Sequence, residues 1–148
     1  TNTHPAEIQS SSKCIFGISN QPPNFPPGTN HHTEFSRNRS YVAISAPRNR
    51  VYWFMFVALG KTYYGSADIP RFTKHDEAAL AVAHTDDQVT EDMAFGQLYD
   101  SRITSVLVAL EEHVFARWHF GRIVLVGDSA HKGMTASQPH STLYSLAN

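Results

Sequence analysis

The sequence holds a single cysteine, Cys14, so no internal disulfide and no thiolate zinc site can form. A reducing, cytoplasmic setting is the expectation. An excess of one charge is lacking too. The net charge is -1 and the basic residues are scattered, which leaves no electrostatic footprint for nucleic acid or an anionic membrane. No apolar run is long: "VYWFMFVAL", 51–59, falls far short of the ~20 residues a membrane span needs. The opening "TNTHPAEIQSSSK" is polar and shows no signal-peptide core. No G-x-G-x-x-G occurs, which removes the turn that cradles a dinucleotide's pyrophosphate at a helix N-terminus. Metal-ligand spacing is missing as well. His31-His32 sits in the loop-like "PPGTNHHTE" with neither H-x-H nor H-x-x-x-H nearby, and no metal is expected. "NRS" at Asn38 is a glycosylation sequon only in a secreted chain, which nothing supports.

What is present fits one globular domain. The chain has 148 residues, 41% apolar and 17% charged, enough to bury a core without staples. Residues 1–12 read as a flexible lead-in and 13–148 as one domain. "KCIFGIS" (13–19) reads as a strand, stopped by "NQPPNFPPGTNHH", whose prolines cannot join a ladder. "RSYVAIS" (39–45) and "RVYWFMFVAL" (50–59) form the strongest hairpin signal, joined by "APRN" in a type I-based turn. The second strand is apolar on both sides. Tyr52, Phe54 and Phe56 point one way, and Trp53, Met55 and Val57 the other. One face can be covered by helices and the other can line an apolar cavity; a sandwich core on both sides is the alternative.

After the connector "YYGSADIPRF", Thr73 and Asp76 make a capping-box pattern that starts a helix. Thr90 opens a second helix in the same way, short because of Gly96. "ITSVLVAL" (103–110) reads as strand, with a helix running on into "EEHVFARW" as its alternative. "RIVLVG" (122–127) has the uninterrupted apolar pattern of a central strand covered on both faces. The expected fold class is α+β: a mixed sheet with a few helices, ending in one α/β-like strand and turn.

That last strand stops at Gly127-Asp128, which places backbone N–H groups and a carboxylate at its carboxyl end, where α/β sheets bind ligands. A carboxylate there suits a sugar or polyol hydroxyl better than a phosphate. Asp128 also suits a plain helix cap over "SAHKGMT".

"WHFGRIVLVGDSAHK" resembles the W-x-x-G-R-h-x-L-h-G-D-[AS]-A-H segment of flavin-dependent aromatic-hydroxylase-type monooxygenases. "KCIFGIS", "RVYWFMFVALGKTYYGSADIPRFTKHD" and "SVLVALEEHVFARWHFGRI" resemble, in order and spacing, the fungal indole-diterpene and meroterpenoid epoxidase branch of that family. The likeness runs over residues 13–132. It implies that Asp128 bonds the ribityl chain of FAD, with Gly127 allowing close backbone approach and Arg122 leading the strand. It also implies a sheet roofing the substrate, so Tyr52, Trp53, Phe54, Met55, Phe56 and Tyr64 become pocket candidates. The implied activity is oxidation of an apolar terpenoid or polyketide-derived molecule, with NADPH as co-substrate.

Two further features of the family are missing: the Asp-Gly motif that serves FAD and NADPH, and the Pro-x-x-Gly-Gln-Gly segment after the histidine. The chain then reads as a truncated domain carrying one of three flavin contacts. One such contact contributes about 1–3 kcal/mol, so weak or absent FAD binding is expected for this chain alone. Two other functions compete with the family activity. One is a cofactor-free isomerase or cyclase, with Asp128, His131 and His119 as acid–base candidates and Tyr63 or Tyr64 as a possible donor. The other is a non-catalytic binding remnant that forms a homodimer through the face a missing half would cover.

Overall fold

A computed structural model describes residues 8–26, 28, 30–36 (backbone only) and 38–133. Ten strands and two helices follow in the order β1 (Gln9–Asn20), β2 (Asn30–Ser36), β3 (Arg39–Ala46), β4 (Arg50–Tyr64), α1 (Lys74–Ala83), β5 (Gln88–Thr90), β6 (Met93–Ala94), α2 (Phe95–Asp100), β7 (Arg102–Val114), β8 (His119–Phe120), β9 (Ile123–Val124) and β10 (His131–Lys132). Six strands form one sheet in the order β10-β7-β1-β4-β3-β2, with every pairing antiparallel. The class is α+β. Among the described residues no helix is long and apolar enough to cross a membrane.

β1 lies between the two longest partners. Ile15 faces Met55 of β4 and Leu107 of β7, and Gly17 faces Trp53 and Ser105. These residues share one face. Helices α1 and α2 close over it, and Trp53, Tyr41, Met55, Leu107, Phe95 and Leu98 pack into the core. Gly17 is required here for close approach. A Cβ at that position would stand 2.0 Å from the Trp53 ring, so only glycine lets the indole lie across the strand. The indole N–H donates to Ser19 Oγ at 2.7 Å, and that hydroxyl donates to the Leu98 carbonyl at 2.6 Å. A polar chain thus fastens the sheet to the end of α2.

α1 begins as its sequence indicates. Thr73 caps it, Asp76 N–H donates to Thr73 Oγ1 at 3.2 Å, and Thr73 N–H donates to Asp76 Oδ2 at 2.8 Å. The 103–110 strand also forms, and it extends to Val114 rather than turning helical.

Several expectations are corrected. β1 reaches back to Gln9, so residues 9–12 join the sheet rather than a lead-in; residues 1–7 lie outside the described residues. β2 takes up His31 and His32, which the sequence placed in a loop: pairing with β3 satisfies backbone groups that a loop leaves to water. The turn before β4 is not type I-based, because Arg48 and Asn49 both have positive φ, 65° and 55°. Thr90 does not start a helix. It pairs in β5, because burying Val89 and Met93 in the small β5–β6 hairpin outweighs a local cap, and α2 starts at Phe95. The run 122–127 is not a buried central strand. Ile123 and Val124 pair only with His119 and Phe120, and no layer among the described residues covers them. An apolar run states a need for cover without supplying it.

Candidate functional site

Among the described residues nothing covers the side of the sheet opposite the helices. Strand alternation brings Phe16 and Ile18 of β1, Tyr52, Phe54 and Phe56 of β4, and Thr104, Val106 and Val108 of β7 to this face. Phe16 and Phe54 meet edge to face at 5.2 Å, and Phe54 stacks with Phe56 at 6.1 Å. Tyr52, Val106 and Val108 are exposed. A monomer seldom leaves a continuous aromatic and aliphatic strip bare without a use for it. A hollow of about 330 Å³ is set into this strip, lined by Phe16, Gly17, Ile18, Tyr52, Phe54, Thr104, Ser105 and Val106. Its size lies at the lower end of small-molecule sites.

The pocket residues named from the sequence therefore divide. Tyr52 and Phe54 line the hollow and Phe56 flanks it on the same face. Trp53 and Met55 are buried in the core on the helix side and do not line this hollow. Tyr64 is exposed at the end of β4 and does not line the hollow. Cys14 is buried, and burial pushes its thiol up to about 12, so it supplies no thiolate nucleophile.

The Gly127-Asp128 segment lies at the other end of β7. It forms a single 3-10 turn, Gly127–Ser129, held by the Ser129 hydroxyl, which donates to the Val126 carbonyl at 2.6 Å. β10 follows and pairs with His113 and Val114 of β7. His113 and Ser105 are eight residues apart on one strand, about 26 Å at 3.3 Å per residue. Asp128 is exposed and has no hydrogen-bond partner among the described residues, and the position a Cβ would take at Gly127 is open. This fits a carboxylate that accepts from hydroxyl groups of a ligand approaching closely over Gly127. Arg122 is exposed in the β8–β9 turn.

The acid–base candidates are not brought together at either hollow. His131 stacks at 5.3 Å on Trp118, His119 is exposed on β8, and neither hollow is lined by either histidine or by Asp128. No specific observation favours cofactor-free catalysis by them.

Sequence reasoning passed over two polar clusters. On the helix side, Glu77 of α1 is buried; it accepts from Lys74 Nζ at 2.8 Å, from Tyr99 OH at 3.4 Å and from the Ser105 hydroxyl. Burial pushes its carboxyl up, but the bonds from Lys74 and Ser105 outweigh this and hold it below the usual carboxylate range. A polar hollow of about 550 Å³ lies over this cluster, rimmed by Lys74 and Arg102. At the far rim, Asp87 accepts from Tyr41 OH at 2.6 Å and from Arg39 Nη2 at 3.3 Å, and it ion-pairs with Arg39 Nε at 2.7 Å, with His84 Nδ1 at 3.3 Å. Burial, reinforced by Arg39, holds His84 below its ordinary value despite Asp87. Each cluster ties an element beyond the β3–β4 hairpin back to the sheet. The only signal for Glu77 was its spacing on a helix, three residues after Lys74.

No family model matches the chain. It is 42% identical over 120 residues to FAD-dependent monooxygenase paxM of Penicillium paxilli, covering 81% of this chain and 25% of that protein. It is 35% identical over 162 residues to FAD-dependent monooxygenase ausM of Penicillium brasilianum, covering 98% of this chain and 33% of that one. The chain thus spans a quarter to a third of the length of these relatives. Among solved structures, a Klebsiella pneumoniae HpxO variant complexed with FAD superposes with TM-score 0.58 at 16% identity, over 87% of this chain and 32% of that one. The 2,6-dihydroxypyridine-3-hydroxylase of Arthrobacter nicotinovorans gives 0.56 at 12% identity, over 84% and 37%. Both carry the same fold over the compared region.

Proposed function

The chain is a homologue of one segment of the fungal FAD-dependent monooxygenases, and we propose that it forms the substrate-side sheet of such an enzyme. One observation carries the reading: the sheet is sealed by helices on one face and presents a continuous aromatic strip with a hollow on the other. In the working enzyme that strip roofs an apolar terpenoid or polyketide-derived substrate. Tyr52, Phe54 and Phe56 orient the molecule and exclude water from it. Asp128 accepts from the ribityl hydroxyls of FAD, and Gly127 leaves room for them. When bound, FAD would supply the oxygen chemistry: one atom of dioxygen would go to the substrate and the other would leave as water, with NADPH and a proton furnishing the two electrons and two protons. Arg122 belongs to the same end of the site, and the setting is cytoplasmic.

The pyrophosphate-binding turn is not encoded in this sequence, so a single ribityl contact of about 1–3 kcal/mol falls short of even millimolar affinity. We expect purified chain titrated with FAD to remain essentially colourless after desalting. Grafting residues 13–132 in place of the matching segment of the Penicillium paxilli relative should give a yellow protein, and Asp128→Ala in that graft should weaken flavin retention. A folded graft without flavin absorbance, or one indifferent to Asp128→Ala, sinks the reading. The bare strip should also make the isolated chain a homodimer or larger assembly; sedimentation as a clean monomer counts against that part.

A further inference from the structure

Three hydroxyl residues line the hollow on the open face, but Ser105 turns its hydroxyl away to Glu77 on the helix side, and the two that remain, on Tyr52 and Thr104, are aligned. Ile18 of β1 is opposite Tyr52 of β4 on one side and opposite Thr104 of β7 on the other. The three side chains therefore lie in one row across three strands, on the same face, with Cβ atoms of neighbours about 5 Å apart. Both outer members carry a hydroxyl, both line the hollow, and both are exposed. Neither hydroxyl has a hydrogen-bond partner among the described residues. The next row, Phe54–Phe16–Val106, is wholly apolar. Polarity is thus confined to one end of the hollow.

From this placement we infer that Tyr52 and Thr104 are specificity-determining residues that hold a hydroxyl or carbonyl oxygen at one end of an otherwise apolar ligand. The inference rests on the reading of this face as a substrate roof, and it narrows the substrate class to apolar skeletons already bearing one oxygen function. The chemistry is asymmetric. An apolar wall discriminates weakly between similar skeletons, whereas a pair of hydroxyls discriminates by whether a partner atom is present. The oxygen end of the ligand would lie over Ile18, and its hydrocarbon body over Phe16, Phe54 and Val106. The molecule must then already carry that oxygen function when it reaches this enzyme's step.

The test uses the full chain, diluted until it sediments as a monomer so that the strip is free, and two probes of matched shape, 1-adamantanol and 1-methyladamantane, each displacing Nile red from the open face. Removing the hydroxyls in Tyr52→Phe with Thr104→Val should weaken 1-adamantanol at least fivefold and leave 1-methyladamantane within twofold. Each single variant should weaken the alcohol by about half as much on a logarithmic scale, which keeps the test decisive if the double variant folds poorly. Circular dichroism should be unchanged, because both hydroxyls face solvent. Equal changes for the two probes, or none for either, overturn the inference while leaving the roof intact. Failure of both probes to displace the dye from wild-type chain overturns the roof as well.

Discussion

Two stretches of this chain look alike in sequence and end in opposite environments. "VYWFM", 51–55, places Val51, Trp53 and Met55 at 0%, 1% and 0% exposure. "IVLV", 123–126, leaves Ile123, Val124 and Val126 at 67%, 66% and 74%. Both are apolar runs with β propensity. The first sits between two partner strands and beneath α2; the second has a two-residue partner and no cover among the described residues. Burial is a property of the partnership, and the run alone does not specify it.

The comparison is sharpest for a single large side chain in each stretch. Trp53→Ala should cost about 3–5 kcal/mol through cavity formation and loss of the Ser19 bond. Gly17→Ala, which drives a methyl group into the same ring, should cost about 1–3 kcal/mol from the other direction. Val124→Ala should stay within about 0.5 kcal/mol. Urea unfolding followed by far-UV circular dichroism reads all three. A cost for Val124→Ala comparable to that of Trp53→Ala would show that 122–127 is buried after all, and the contrast would fail.

These differences mark what the sequence allowed to be read. The β3–β4 hairpin, the cap at Thr73, the strand at 103–110 and the two-sided character of 51–57 were all legible, because each follows from a local period or a local hydrogen bond. That Tyr52, Phe54 and Phe56 share one face was legible for the same reason, but which face of 51–57 the helices cover was not. Three other things were not. β2 hides in a polar stretch whose only reason to be extended is the edge of β3. Thr104 and Ile18 join Tyr52 only through register across three strands, which no single segment encodes. Glu77 is buried by Ser105, twenty-eight residues away. Where the partner is distant in sequence, composition points elsewhere.

A smaller effect separates the two stretches by their polar support. The hairpin that contains 51–57 is tied to the β5 region through Asp87, which gathers Arg39, Tyr41 and His84; the 122–127 stretch has no such charged cluster among the described residues. Asp87→Asn should cost about 1–3 kcal/mol, the range for hydrogen bonds to a charged group. The same cluster sets a pH dependence. His84 is held below its ordinary value, so the unfolded chain takes up a proton near pH 6.5 that the folded chain refuses. Stability should then fall as pH drops below about 6.5, and the loss should stop once pH passes the folded value. His84→Gln should flatten that part of the profile, measured as unfolding midpoint between pH 5 and 8. An unchanged slope would assign the dependence to other histidines.

The smallest effect concerns the turns that launch the two stretches. Before 51–57 the chain turns through Arg48 and Asn49, both left-handed, whereas before 122–127 it turns at Gly121, with φ 57°. Asparagine tolerates that region, but arginine at φ 65° carries strain of about 1–2 kcal/mol. Arg48→Gly relieves it and gives back about 0.5–1 kcal/mol through the freer unfolded chain. The net expectation is a gain of roughly 0.5–1 kcal/mol, seen as a higher urea midpoint with an unchanged m-value. Gly121→Ala imposes the opposite strain, yet it should shift the global midpoint less. The β8–β9 hairpin pairs only two residues a side and can open locally while the sheet stays folded. If Arg48→Gly instead lowers stability, the turn is not strained. The register that aims Tyr52 at Ile18 would then be set by strand packing alone.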